Sequence, residues 1–143
     1  MDIIAAVAAV QDALVAAIPG ADFGYPIGGP GVESMWLADS ISELVPSYAL
    51  STADGSPCGA TFKLEVKVAE TLNGTTTQIR DKSFIAVDNV IAAALPDENG
   101  QYLGGLASRI EIERMQFDPG LDDGTRFLGC TTTLSVDVGY VPA

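Results

Sequence analysis

Asp118, Asp122, Asp123 and Gly124 are the residues that first suggest chemistry, because closely spaced carboxylates beside a glycine are the raw material of a calcium loop. An EF-hand requires oxygen ligands at fixed alternate positions and a closing glutamate, and this stretch has neither, so it reads as a solvated hairpin loop. Gly28-Gly29-Pro30-Gly31 is the glycine-rich stretch that could cradle a phosphate. It carries no lysine, has the wrong spacing and opens no helix, which leaves a plain loop. No serine stands in a GxSxG context. The chain has no histidine, which removes the usual general base near neutral pH and the commonest zinc ligand. A serine or cysteine nucleophile would then need a lysine or carboxylate base, and nothing in the sequence points to one. Paired-acid glycoside chemistry is allowed by residue type, but pairs such as Asp122-Asp123 fall in turns and aromatic sugar platforms are few. Cys58 and Cys130 lack a metal-ligand spacing; they read as reduced, half-buried thiols, with a disulfide as the alternative. The expectation is a protein that is no enzyme and holds no cofactor or metal.

Composition narrows the partners. The 143 residues fit one domain able to bury a real core, and 48% apolar with 18% charged residues is not the composition of a disordered chain. A net charge of −12 with seven basic residues disfavours nucleic-acid binding and anionic membranes alike. Met1–Ile18 is apolar, yet Asp2 replaces the basic start of a secretory signal and Gln11-Asp12 interrupts the run, which is also too short to span a bilayer. These features predict a soluble protein made in a cytoplasm, without a membrane partner.

The elements that must carry any site follow from periodicity. Residues 2–18 predict a helix, opened by Asp2 and stopped by Pro19-Gly20. Ile3, Val7, Val10, Leu14 and Ile18 form one stripe, while Ile4, Ala8, Val15 and further alanines carry apolar surface around the cylinder. Two accounts fit: a helix sunk deep in its own core, or one whose second face meets a neighbouring subunit. Residues 21–30 read as a loop, 33–37 as a short strand holding the only tryptophan, Trp36, and 38–59 as a long irregular connection in which 45–51 could be strand. Phe62, Leu64, Val66 and Val68 alternate with Lys63, Glu65 and Lys67, a half-buried strand with one wet face. Asn73-Gly74 predicts a type I′ turn with Thr75–Thr77 returning as strand. The rival is a helix from Thr75 with Gln78 closing a capping box. The turn is preferred, with the second helix at about 81–95 and Phe84, Val87, Ile91 and Ala94 on one face. Strands at 106–117 and 127–141 complete the chain. In the first, a change of parity between Ile110/Ile112 and Met115/Phe117 predicts a bulge near Glu113-Arg114. In the second, Leu128, Cys130, Leu134, Val136, Val138 and Tyr140 share a face. The fold class is α+β: a single domain, 1–143, with an antiparallel sheet and both helices on one face.

The order of elements is accompanied by three local patterns: Tyr102-Leu103-Gly104-Gly105-Leu106, the strand Arg109-Ile110-Glu111-Ile112-Glu113-Arg114, and Phe127-Leu128-Gly129-Cys130-Thr131-Thr132-Thr133-Leu134-Ser135-Val136. With these the chain resembles the tail terminator (tail completion) proteins of long-tailed bacteriophages and their relatives among neck and head–tail joining proteins. The likeness covers most of the chain as an arrangement, carried by short motifs. It implies a structural virion protein in the tail or neck, assembled in the host cytoplasm. Such a protein forms a ring, typically six-fold, that seats on the tail tube protein, stops polymerisation and offers a surface to the head connector. DNA would pass through without specific binding, and carboxylates around the bore would keep it from sticking. In such a ring the candidate subunit contacts are Ile4, Val7, Ala8, Val15 and Trp36. The candidate axial or lumenal contacts are Asp97, Glu98, Asp118, Asp122 and Asp123, from polar loops at 97–100 and 118–124. Rival readings are another ring of the same assembly (head closure or tail tube), or a small ligand-binding domain with a pocket around Trp36, Phe62 and Phe84.

Overall fold

A computed structural model describes residues 2–23, 33–37, 41–48, 55–71, 76–122 and 125–139. Helix α1 spans Ile3–Ala17, and Asp2 caps it: its side chain accepts a hydrogen bond from the Ala5 amide at 3.1 Å. Strands β1 (Ala21–Phe23), β2 (Glu33–Leu37), β3 (Glu43–Ser47) and β4 (Gly59–Thr71) follow. Helix α2 (Thr76–Ala94), a 3-10 turn at Leu103–Gly105, and strands β5 (Arg109–Asp122) and β6 (Thr125–Gly139) complete the order. The strands form one sheet in the order β1-β2-β4-β6-β5, antiparallel except for the parallel pair β1 and β2.

Strands β2 and β3 lie end to end along one edge of β4: Glu33–Leu37 pairs with Glu70–Val66, and Glu43–Ser47 with Lys63–Gly59. Five residues, 38–42, separate them where β4 advances by two, Leu64 and Glu65, so this edge carries a surplus of three residues. The Ser42 amide rejoins it by donating to the Lys63 carbonyl at 3.1 Å.

Alternation along β4 and β6 makes the core. Phe62, Leu64, Val66 and Val68 of β4 and Cys130, Leu134, Val136 and Val138 of β6 point to one side, with Thr132 the buried polar member. Both helices cover that side, α1 with Val7, Val10 and Leu14 and α2 with Val87, Val90 and Ala94. Each such aliphatic or aromatic side chain stabilises the fold by about 1.5–3 kcal/mol on an extended-chain reference, which is an upper bound. The α+β class, the single core and the placement of both helices on one face agree with the sequence reading.

Several boundaries differ, each for a local reason. Helix α2 starts at Thr76 rather than near residue 81, so Thr76 and Thr77 are helical despite their β-branching, close to the capping-box alternative. Asn73-Gly74 lies outside the described residues. Phe84 does not join the core stripe; the buried set is Ala86, Val87, Val90 and Ala94, while Phe84 is 48% exposed. Strand β5 starts at Arg109 because residues 103–105 make a turn with consecutive positive φ angles: 50° at Leu103, 65° at Gly104 and 94° at Gly105. Two of those positions are glycine, for which the left-handed region carries no Cβ penalty. The expected loop at 118–124 is mostly strand: β5 runs to Asp122, which pairs with Thr125. Pro119 is tolerated because β5 is an edge strand, with a partner on one side only. The connection at 38–59 contains strand β3, and its last residue, Gly59, is the first of β4. The parity change in β5 is a bulge, with the register shift between Ile112 and Arg114.

Candidate functional surfaces

The side of the sheet away from the helices is polar over the middle of β4, β5 and β6, while Val45 of β3, opposite Thr61, adds an exposed apolar side chain. Strand β6, in the middle, presents Thr131, Thr133, Ser135 and Asp137 there, and β4 presents Thr61, Lys63, Glu65 and Lys67. From β5 come Arg109 and Glu111 before the bulge and Arg114 and Gln116 after it. The bulge also turns Glu113 to this side, because it leaves two consecutive charged residues, Glu113 and Arg114, on one face. Short hydroxyl residues on β6 between long side chains on β4 and β5 make a trough with a threonine–serine floor. Its walls are two strand spacings apart, about 10 Å. Near Ser42, Glu43, Lys63, Glu65, Glu113, Arg114 and Thr133 it opens into a cavity of about 570 Å³.

Lys63 organises that cavity. Its ammonium lies 3.1 Å from Glu113 on β5 and 3.5 Å from Glu43 on β3, so one side chain ties three strands across β6. The hydrogen bond and charge of Glu113, then the charge of Glu43, hold its pKa above the ordinary lysine range. Lys67 pairs with Glu65 at 3.6 Å, Arg109 with Glu111, and Thr61 donates to Asp137 at 2.7 Å. The ion pairs are solvent-accessible and of small individual worth, whereas the Thr61–Asp137 hydrogen bond is part-buried. This surface was missed as a site: the alternation of Lys63, Glu65 and Lys67 was legible, but the trough depends on which strand lies between β4 and β5.

The predicted subunit-contact residues divide. Ile4 is 71% exposed and Ala8 is exposed on α1, so this part of the helix offers apolar surface outward. Val7 is 6% exposed and belongs to the core, and Val15 is half-buried against it; neither is open to a neighbour as expected. The helix stripe with a period of 3.6 explains this, since Val7, Val10 and Leu14 must share the face that meets the sheet. Trp36 lies in β2, opposite Lys67; its side chain is outside the described set.

Of the predicted loop contacts, Asp97 is committed inside its own loop. Its Oδ1 accepts from the Asn99 amide at 2.8 Å and the Gln101 amide at 2.9 Å, while the Asp97 amide donates to the Gln101 carbonyl at 2.8 Å. This Asx-type turn holds residues 97–101 and leaves Glu98 exposed at the tip. Asp118 and Asp122 sit in β5 rather than in a loop, their side chains outside the described set, and Asp123 lies outside the described residues.

The pocket expected around Trp36, Phe62 and Phe84 does not gather its two described members. Phe62 is fully buried opposite Val136, whereas Phe84 packs edge-on against Phe117, their centroids 5.9 Å apart. Phe117 pairs with Cys130, six residues along β6 from Val136, a separation of about 20 Å at the usual strand rise. Register also settles the cysteines. Cys58 lies beside Gly59, the partner of Gly139, nine residues along β6 from Cys130, about 30 Å away and beyond disulfide reach. Cys58 donates to the Ser47 carbonyl at 3.3 Å, and Cys130 is buried near Thr132. Among the described residues, no group of three or more Cys, Asp or Glu is placed to hold a metal ion, and no helix is long and apolar enough to cross a membrane.

No protein-family model matches the chain, and no curated protein matches it.

Proposed function

We propose that the protein is a structural component of a phage virion, acting as tail terminators do: a homo-oligomeric ring, six-fold in that family, that caps the tail tube and receives the head connector. The observation that carries this reading is the order of elements. An apolar helix leads into strands, a central helix, a Leu-Gly-Gly turn and a long terminal hairpin, and the resembling residues 102–106, 109–114 and 127–136 fall in that turn and hairpin. The exposed Ile4 and Ala8 on α1 suit contact with a neighbouring subunit. A heterologous contact that repeats until it closes would satisfy such surfaces without open polymerisation. The partners are then the tail tube protein and neck proteins, with DNA passing through unbound, in particles assembled in the host cytoplasm.

A second ring of the same assembly, the tube subunit, is favoured by one feature: β4, β5 and β6 are 13, 14 and 15 residues long, the kind of strand an inner barrel requires. Self-assembly separates the two. A terminator adds as soluble rings to the ends of purified tubes, whereas a tube subunit polymerises on its own. The terminator reading is tested by imaging tails assembled with and without this protein. Without it, tubes are expected to lose length control and heads to fail to attach. Tubes of controlled length that still join heads would overturn it.

A further inference from the structure

Strand β5 ends the sheet, and among the described residues no strand pairs with its outer edge. The helices cover it unevenly. Along its helix side Ile110 is buried, Ile112 and Met115 are half-buried, and Phe117 is exposed. Phe84 of α2 meets Phe117 edge-on and is itself exposed. The two rings thus form an apolar shelf beside backbone groups that no described strand pairs. The bulge at Glu113 and the proline at 119 bound the regular stretch next to the shelf, Arg114–Asp118. Asp88 follows Phe84 by one helical turn and shares its side of α2. It is exposed and, among the described residues, makes no ion pair or hydrogen bond, whereas Asp81, a turn before Phe84, is held by Arg80.

We propose that this edge takes an extended segment of another protein as an added strand, apolar where it faces Phe84 and Phe117 and carrying a lysine or arginine that reaches Asp88. Main-chain hydrogen bonds along Arg114–Asp118 hold the segment, and its alternate side chains decide which segment is accepted. Charge sets the sign of the partner. Strand β5 holds Glu111, Glu113, Asp118 and Asp122 against Arg109 and Arg114, Asp88 stands on the wall, and the whole chain is at −12. A basic segment is drawn to such an edge, and a second copy, itself at −12, is repelled from it. The shelf is built without α1, whose exposed Ile4 and Ala8 serve the proposed ring, so it does not depend on that reading.

The probe is a seven-residue peptide, blocked at both ends, with threonine at its odd positions and valine, lysine and valine between them. Its sequence is the same in both directions, so either strand polarity brings a valine to the rings and the lysine to Asp88. Titrated into the isotope-labelled whole chain, it is expected to shift the amide resonances of Arg114–Asp118 and Phe84 saturably. Phe84→Ala and Asp88→Lys are each expected to weaken binding about tenfold. Glutamate in place of the peptide's lysine is expected to do the same, and methylating every peptide amide nitrogen to abolish binding, since no donor is left for the ladder. Ile4→Ser, on α1, leaves binding unchanged, and circular dichroism confirms that each variant is folded. The absence of a saturable shift overturns the proposal, as does equal binding by the methylated peptide, by the glutamate peptide, or by Phe84→Ala and Asp88→Lys. Shifts at Arg114–Asp118 that follow the protein's own concentration also overturn it, because they assign the edge to a second copy.

Discussion

Val136→Asp is expected to yield no folded protein. Val136 has no exposure, sits opposite Phe62 on β4 and Ile110 on β5, and belongs to the cluster that both helices cover. A carboxylate there loses its hydration with no buried cation among the described residues to receive it, because the buried set is apolar but for Thr132 and Lys63 and Lys67 of β4 point the other way. Burying an unpaired charge costs several kcal/mol even after relaxation, comparable to the whole stability of a domain this size. Far-ultraviolet circular dichroism and solubility on expression read the outcome. A soluble variant with the wild-type spectrum would mean that β6 is out of register by one residue. The neighbour Ser135→Asp is the control. It changes an open-face position of the same strand and is expected to fold, since residues one apart on a strand face opposite sides.

Phe62→Ala is expected to cost about 3–5 kcal/mol, and Phe84→Ala about 1 kcal/mol or less. The two residues are chemically identical, so burial alone separates them. Phe62 is fully enclosed between Val136 and the helices, and its removal leaves a cavity whose lining cannot close. Phe84 is 48% exposed, and its one ring partner, Phe117, is itself 43% exposed. Urea denaturation of both variants measures the difference. Equal losses would show that α2 packs with a different face toward the sheet.

The parts of this fold legible in the sequence are those where one interaction dominates. Residues 62–68 alternate strictly, and hydrophobic burial on one side of a sheet is the only economical way to satisfy such a pattern. The bulge in β5 was equally plain, because a parity change between Ile112 and Met115 permits no regular strand. Boundaries were harder where local preference competes with pairing. Thr76 and Thr77 favour strand by propensity, yet the first turn of α2 includes them. Pro119-Gly120 reads as a loop in isolation, but on an edge strand the missing amide of a proline costs the ladder nothing. The open-face surface was least legible of all. Thr131, Thr133 and Ser135 become the floor of a trough only because β6 is inserted between β4 and β5, a fact of long-range topology that no local window contains. Asp97 carried the opposite error: a carboxylate in a polar loop looks outward-facing until its hydrogen bonds to Asn99 and Gln101 are seen.

Placing β6 between β4 and β5 also sets an order on synthesis. Thr61 and Asp137, hydrogen-bonded neighbours across β4 and β6, are 76 residues apart in the chain. A nascent chain that has not reached residue 125 has α1, α2 and β4 but lacks the strand that β4 and β5 both require, so its apolar faces stay uncovered. Assembly of the core therefore waits on the last described strand, and exposed apolar surface during that wait is what chaperones bind and what drives aggregation. A chain cut before Thr125 should accordingly be digested throughout by a protease that leaves the whole protein intact; a resistant fragment would mean that the helices and β4 hold a core of their own.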